Sequence, residues 1–123
     1  MTVGQTLLSV RKGTEHRAEK ALENMASQLA GAAGLVSHKI LRSVSMSPLA
    51  SALHDEAREA VLGDVHFVIL TEWESIEAHD DFYRSGGAQR AYAVLASILT
   101  SGPYEVLYEP LVPEPEHSGL TVR

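Results

Sequence analysis

One segment constrains this chain more than any other. From Val65 to Trp73 the sequence carries Val65, Phe67, Val68, Ile69 and Leu70, so both of its alternating sets are apolar. Successive side chains of a strand point to opposite faces, so this pattern suits a strand in a sheet that is covered on both sides. Its β-branched and aromatic content favours the extended form as well. Such a sheet needs a cover on each side.

Part of the cover is legible upstream. Thr6 to Val10 is a short Leu- and Val-rich run closed by Lys12-Gly13, which predicts a first strand and its turn. Thr14 is a plausible N-cap, and Ala18, Ala21, Leu22, Met25, Leu29 and Ala32 recur at helical spacing along one apolar face. Gly31 and Gly34 end that helix, and Leu35 to Leu41 reads as a second strand, interrupted by His38 and Lys39. After the Val65–Trp73 strand, Ser75 can cap a helix from Ile76 to about Arg84. Gly86-Gly87 interrupts it, and Ala88 to Leu99 resumes. Gly102-Pro103 predicts a stop, and Tyr104 to Leu111 a fourth strand.

The order β-α-β-β-α-β predicts an α+β domain with a ferredoxin-like, four-stranded antiparallel sheet. At 123 residues the chain suits one domain, spanning 1–123. Residues 43–64 form an insertion between strands two and three. There Ser47-Pro48 followed by Leu49, Leu53, Ala57 and Val61 suggests a short helix, acting as a lid or a partner-binding arm. Residues 112–123 read as a flexible tail.

Charge and composition then narrow the function. A formal charge of -6, with scattered basic residues, argues against a nucleic-acid partner. The absence of cysteine excludes disulfides, thiolate metal sites and a Cys nucleophile. No apolar stretch is long enough for a membrane span and no leader pattern opens the chain, so a cytoplasmic location fits. There is no glycine-rich phosphate loop, dinucleotide fingerprint, nucleophile elbow or His-Glu-x-x-His, which leaves cofactors unsupported. His38 and His66, on neighbouring strands, could bring two imidazoles together, but no third ligand completes a metal site.

The stretch Ile69-Leu70-Thr71-Glu72-Trp73-Glu74-Ser75-Ile76-Glu77-Ala78-His79 resembles the antibiotic biosynthesis monooxygenase (ABM) superfamily, in which an apolar strand ends in Trp and passes through Glu-Ser into a helix. The Lys12-Gly13 turn, Ala33-Gly34-Leu35-Val36 and Tyr104-Glu105-Val106-Leu107-Tyr108 extend the resemblance over the chain outside the insertion and tail. It implies a dimeric α/β barrel, with two sheets face to face and helices on the other face of each. A sheet with helices on one side only has an apolar face to hide, at about 25 cal/mol per Å², which is a reason to dimerise.

Known members include cofactor-independent oxygenases of aromatic polyketides, quinol oxygenases and heme-degrading oxygenases. Fold alone does not choose among them. In the aromatic oxygenases the strand-end Trp is joined by an Asn four residues earlier and a Tyr six residues later. This chain keeps Trp73 and has Ile69 and His79 in those places. At the positions of the heme-degrading site it has Thr6, Phe82 and Tyr92, so the heme ligand is missing.

The residue types then suggest roles. The Trp73 indole N–H can hold a substrate carbonyl or oxygen anion, or serve as a packing anchor. His79 lies on the following helix with Phe82 and Tyr83 at i+3 and i+4, and an imidazole there suits a base that deprotonates a phenol before it meets O2. The alternative is an exposed His beside Asp80 and Asp81. Arg90 could stabilise an enolate or peroxide anion, with Tyr92 as a hydrogen-bond donor, or it could be a solvated surface group. The expectation is therefore a cofactor-independent monooxygenase-like enzyme of secondary metabolism, acting on an aromatic or quinone-type molecule with O2. His79, Trp73, Arg90 and Tyr83 would be catalytic, and Phe82, Tyr92, Phe67 and Ile69 would bind substrate. Alternatives are an isomerase or cyclase on the same fold and a non-catalytic dimeric ligand-binding protein.

Overall fold

The computed structural model describes residues 1–45 and 63–112. The elements run β1 (Thr2–Val10), α1 (Glu15–Ala30), β2 (Leu35–Arg42), β3 (Val65–Trp73), α2 (Ile76–Tyr83), α3 (Gly86–Leu95) and β4 (Leu99–Tyr108). The antiparallel sheet has the order β2-β3-β1-β4. The expected ferredoxin-like arrangement is present. The helix and lid expected within 43–64 fall mostly outside the described residues, as does the tail beyond 112.

All the described helices pack on one face of the sheet. Leu8 and Val10 of β1 and Phe67, Ile69 and Trp73 of β3 point toward them and are buried. Against these lie Ala18, Ala21, Leu22, Met25 and Leu29 of α1, with Ala88, Ala91 and Leu95 of α3. The periodic positions of α1 expected to be apolar are the ones that are buried, because a helix in a small domain gains most of its stability from such a stripe.

Among the described residues, no helix lies on the other face. Leu7, Leu41, Tyr104, Val106 and Tyr108 stand exposed there, and Val68 and Leu70 of β3 are only half-buried. β3 is thus apolar on both sides of a sheet that the described helices cover on one.

Several boundaries differ from expectation. β1 begins at Thr2 because Thr2 to Gln5 pair with the end of β3, which overrides the weak local preference of that segment. The last helix ends at Leu95, and β4 begins at Leu99 and continues through Gly102-Pro103. Pro103 is tolerated because β4 is an edge strand and its pairing with β1 is irregular around Ser9 and Ser101. Gly86-Gly87 opens α3, with the Ser85 side chain accepting from the Ala88 N–H.

Candidate active site

A set of aromatic and polar side chains gathers on the helix-covered face at the end of β3. The β3–α2 junction positions it. Ser75 caps α2 by accepting from the Ala78 N–H at 3.1 Å, and the Glu74 N–H donates to the Gly34 carbonyl at 2.8 Å. Gly34 has φ near +81°, and a Cβ there would stand 2.5 Å from the Ala78 Cβ, so α2 seats directly on this turn. That seating turns His79, Phe82 and Tyr83 toward Trp73.

The rings form one packed group. Trp73 lies 5.8 Å from His79 and 5.6 Å from Phe82, centroid to centroid. Tyr83 lies 4.7 Å from His79 and 6.4 Å from Tyr92. Trp73 is fully buried and donates its Nε1–H to Thr71 Oγ1 at 2.8 Å, on the same face of β3.

His79 is buried between two carboxylates. Its Nδ1 is 2.8 Å from Asp80 Oδ1 and its Nε2 is 2.8 Å from Glu105 Oε1. Each contact requires a proton between nitrogen and oxygen. The ring therefore satisfies both carboxylates as the imidazolium, or as the neutral ring beside one protonated carboxyl. The reading of His79 as an exposed helix residue does not hold.

Glu105 comes from β4. Its Oε2 accepts from Thr6 Oγ1 at 3.3 Å, and its side chain is 23 % exposed against 7 % for His79. The absent side chain of Gly4 leaves it room. A Cβ at position 4 would lie 2.7 Å from Thr71 Oγ1 and 3.0 Å from Glu105 Oε2.

The Tyr83 hydroxyl is buried without a hydrogen-bond partner. Burial pushes the Tyr83 phenol far above its ordinary value, and the neighbouring Tyr92 phenol and the Glu105 charge add to this. Burial raises Tyr92 too, partly offset by its polar neighbours Thr6 and Tyr83. Both remain neutral donors over the whole physiological range.

Trp73, His79, Phe82, Tyr83 and Tyr92 are thus brought together. Three other expected residues are not. Arg90 is exposed and its guanidinium lies against Gly86, because α3 buries Ala88 and Ala91 and turns position 90 to solvent. Phe67 precedes Trp73 by six strand residues, about 20 Å at the usual rise, and lines a groove of about 600 Å³ with Leu22, Ala26 and Ile40. Ile69 is fully buried in the core between them.

The two strand histidines do not meet either. His38 pairs with Thr71 and His66 with Ser9, which puts them on opposite faces. His66 Nδ1 instead lies 2.6 Å from Ser9 Oγ on the uncovered face. Among the described residues no group of three or more His, Asp or Glu is placed to hold a metal ion, and no helix is long and apolar enough to cross a membrane.

Sequence reasoning missed Glu105, Thr6 and Gly4. A charged residue within Tyr104-Glu105-Val106-Leu107-Tyr108 was the available signal. Its face depends on strand register, which a sequence does not display.

No family model matches this sequence, and no curated protein matches it significantly. Solved structures do match in fold. One from Deinococcus radiodurans, proposed to be an antibiotic biosynthesis monooxygenase, aligns with a TM-score of 0.72 at 16% identity over 94% of this chain and 98% of its own. Another antibiotic biosynthesis monooxygenase structure gives 0.69 at 13% identity, over 92% and 100%. SnoaB of Streptomyces nogalater, a cofactor-independent oxygenase, gives 0.62 at 17% identity, over 94% and 98%. Across nearly its whole length, this chain has the fold of the antibiotic biosynthesis monooxygenase structures.

Proposed function

We propose that this chain is a cofactor-independent monooxygenase-like enzyme acting on an aromatic or quinone-type small molecule. One observation carries the reading: Trp73, His79, Phe82, Tyr83 and Tyr92 pack as one group on the helix-covered face of the sheet, with the buried His79 imidazole held between Asp80 and Glu105. A domain selected for stability alone would fill that volume with aliphatic groups, since each buried polar atom has to be matched by a partner. Aromatic walls suit a flat substrate, and neutral phenols suit a developing oxyanion.

In this reading His79 and Glu105 handle the substrate proton together. Trp73 and Tyr83 border the reacting ring, and Phe82 and Tyr92 form its walls. The deprotonated, electron-rich substrate reacts with O2 in a site that holds water away. The protein works as a homodimer through the uncovered sheet face, in the cytoplasm, within secondary metabolism. Leu7, Leu41, Tyr104, Val106 and Tyr108 on that face support the dimer.

The test uses anthrone and hydroquinone substrates under labelled O2. Wild-type protein is expected to place one labelled oxygen atom in the product, and His79→Ala and Trp73→Phe to reduce that at least tenfold. Full activity in both variants would remove these residues from the site. Sedimentation of a 13.3 kDa species alone at high micromolar concentration would rule out the dimer.

A further inference from the structure

We propose that Ser9 is an acyl-accepting nucleophile with His66 as its base, and that the pocket beside them takes a short, activated acyl ester. This goes beyond the oxygenase reading, sits on the opposite face of the sheet and stands without it.

The pair is set by strand register. Ser9 of β1 and His66 of β3 are direct partners, so their side chains leave the sheet side by side on the uncovered face. Ser9 Oγ lies 2.6 Å from His66 Nδ1, at the short end for a hydroxyl hydrogen bond. With the ring proton on Nε2, Nδ1 accepts from the hydroxyl, and an adjacent base of this kind is what activates a serine for attack. Ser43 fixes the His66 backbone from the other side. The His66 N–H donates to Ser43 Oγ at 3.0 Å, and the His66 carbonyl accepts from the Ser43 N–H at 2.8 Å.

Toward β4 the pairing of Ser9 is irregular. β4 shifts register against β1 between Leu7 and Ser9 and again between Ser9 and Val10. Such shifts bend a strand and re-aim its side chains, and they recur beside active sites. Gly102 allows the close approach, with φ near +82° and a Cβ position only 2.5 Å from the Leu7 carbonyl oxygen. Beside this irregularity lies a pocket of about 270 Å³ whose lining includes Leu7, Ser9, His66, Ser101 and Tyr104.

One pocket thus joins nucleophile, base and space for a reagent. Ser9 is only 8 % exposed, and the pocket is its opening to solvent. Ordinary ligand sites run to roughly 300–1,000 Å³, so this smaller volume restricts the acyl group to a short chain. Leu7 gives an apolar wall, while Ser101 and Tyr104 bring hydroxyls, the kind of donor that a tetrahedral oxyanion requires. The Ser9–His66 pair is one residue from Val10 and Val65, where the two strands end, so the pocket lies toward the margin of the face.

The step balances without an oxidant or reductant. Ser9 Oγ bonds to the acyl carbon as its proton passes to His66 Nδ1, and the carbonyl π pair moves onto the oxygen. That pair returns as the bond to the leaving oxygen breaks, and the alcohol or phenol departs with the proton from His66. The product on the protein is an ester of Ser9.

The experiment incubates the full chain with p-nitrophenyl acetate, quenches early samples in acid and locates acetyl groups by peptide mass spectrometry. Ser9 is expected to be acetylated at least tenfold faster than Ser27, an exposed serine whose hydroxyl donates to the Glu23 carbonyl. Ser9→Ala should abolish the fast phase of phenolate release. His66→Gln keeps a hydrogen-bonding side chain and lacks the base, so it should slow Ser9 acetylation at least tenfold, with circular dichroism checking that the fold persists. The octanoyl ester should label Ser9 at least tenfold more slowly than the acetyl ester. Wild-type Ser9 acetylated no faster than Ser27 overturns the proposal without reference to any variant. Unchanged acetylation in His66→Gln overturns the base, and equal labelling by the two esters overturns the pocket.

Discussion

The two faces of the sheet invert what each would ordinarily be. The helix-covered face, which turns toward the core, contains a histidine, two carboxylate contacts, two threonine hydroxyls and an unpartnered phenol. The uncovered face, which meets solvent, carries Leu7, Leu41, Tyr104, Val106 and Tyr108. A monomer shaped only by stability would do the opposite on each side. The polar interior points to chemistry and the apolar exterior to assembly, and one strand, β3, contributes to both.

That contrast can be broken by substitution. The largest effect is expected at the centre of the covered face. Trp73→Ala removes a fully buried ring that His79, Phe82 and Tyr83 pack against, and should cost about 3–5 kcal/mol in chemical denaturation. A loss under about 1 kcal/mol would show that the ring group is loosely packed. Thr71→Val comes next. It keeps the shape and removes the acceptor of the Trp73 indole N–H, leaving a buried donor unmatched at a cost of roughly 1–3 kcal/mol.

Alkaline pH sharpens the comparison in another way. Tyr83 and Tyr92 are raised above their unfolded value of 10.0. The protonated form is therefore favoured in the fold, and the stability it contributes is fully present below that pH and lost as pH rises through the folded values. Phenolate absorbance from these two residues is expected only together with unfolding. Their reversible ionisation near pH 10 in folded protein would show that water reaches the cluster.

The smallest effect on the fold itself is expected on the uncovered face. Tyr104→Asp should change the melting of the isolated subunit little, within about 0.5 kcal/mol, because the side chain is already exposed. Its effect should fall on association, weakening a dimer at least tenfold in sedimentation. Unchanged association would detach that apolar face from assembly.

Much of this architecture is legible in the sequence because periodicity reports burial. The stripe from Ala18 to Leu29 and the doubly apolar β3 are local patterns, and local patterns survive into the fold. The Trp73, His79, Tyr83 grouping is legible for the same reason, since a strand end and the next helix turn are neighbours in the chain. Glu105 and Thr6 are not, being 99 residues apart and joined only by the β1–β4 register. Arg90 misleads because position after a glycine pair says nothing of which way a helix turns. The course of β4 through Pro103 is hidden by the same non-local pairing, which decides what an edge strand tolerates.

Gly4 ties these threads together. Because a methyl group there would collide with both Thr71 Oγ1 and Glu105 Oε2, a hydrogen atom at one position and an acid at another form a single trait. A lineage that acquired alanine at residue 4 would have to displace the Thr71 hydroxyl, the partner of the Trp73 indole N–H, and press on the acid beside it. Drift at this unremarkable backbone position is therefore a route by which such a domain could disturb its ring cluster and keep its shape.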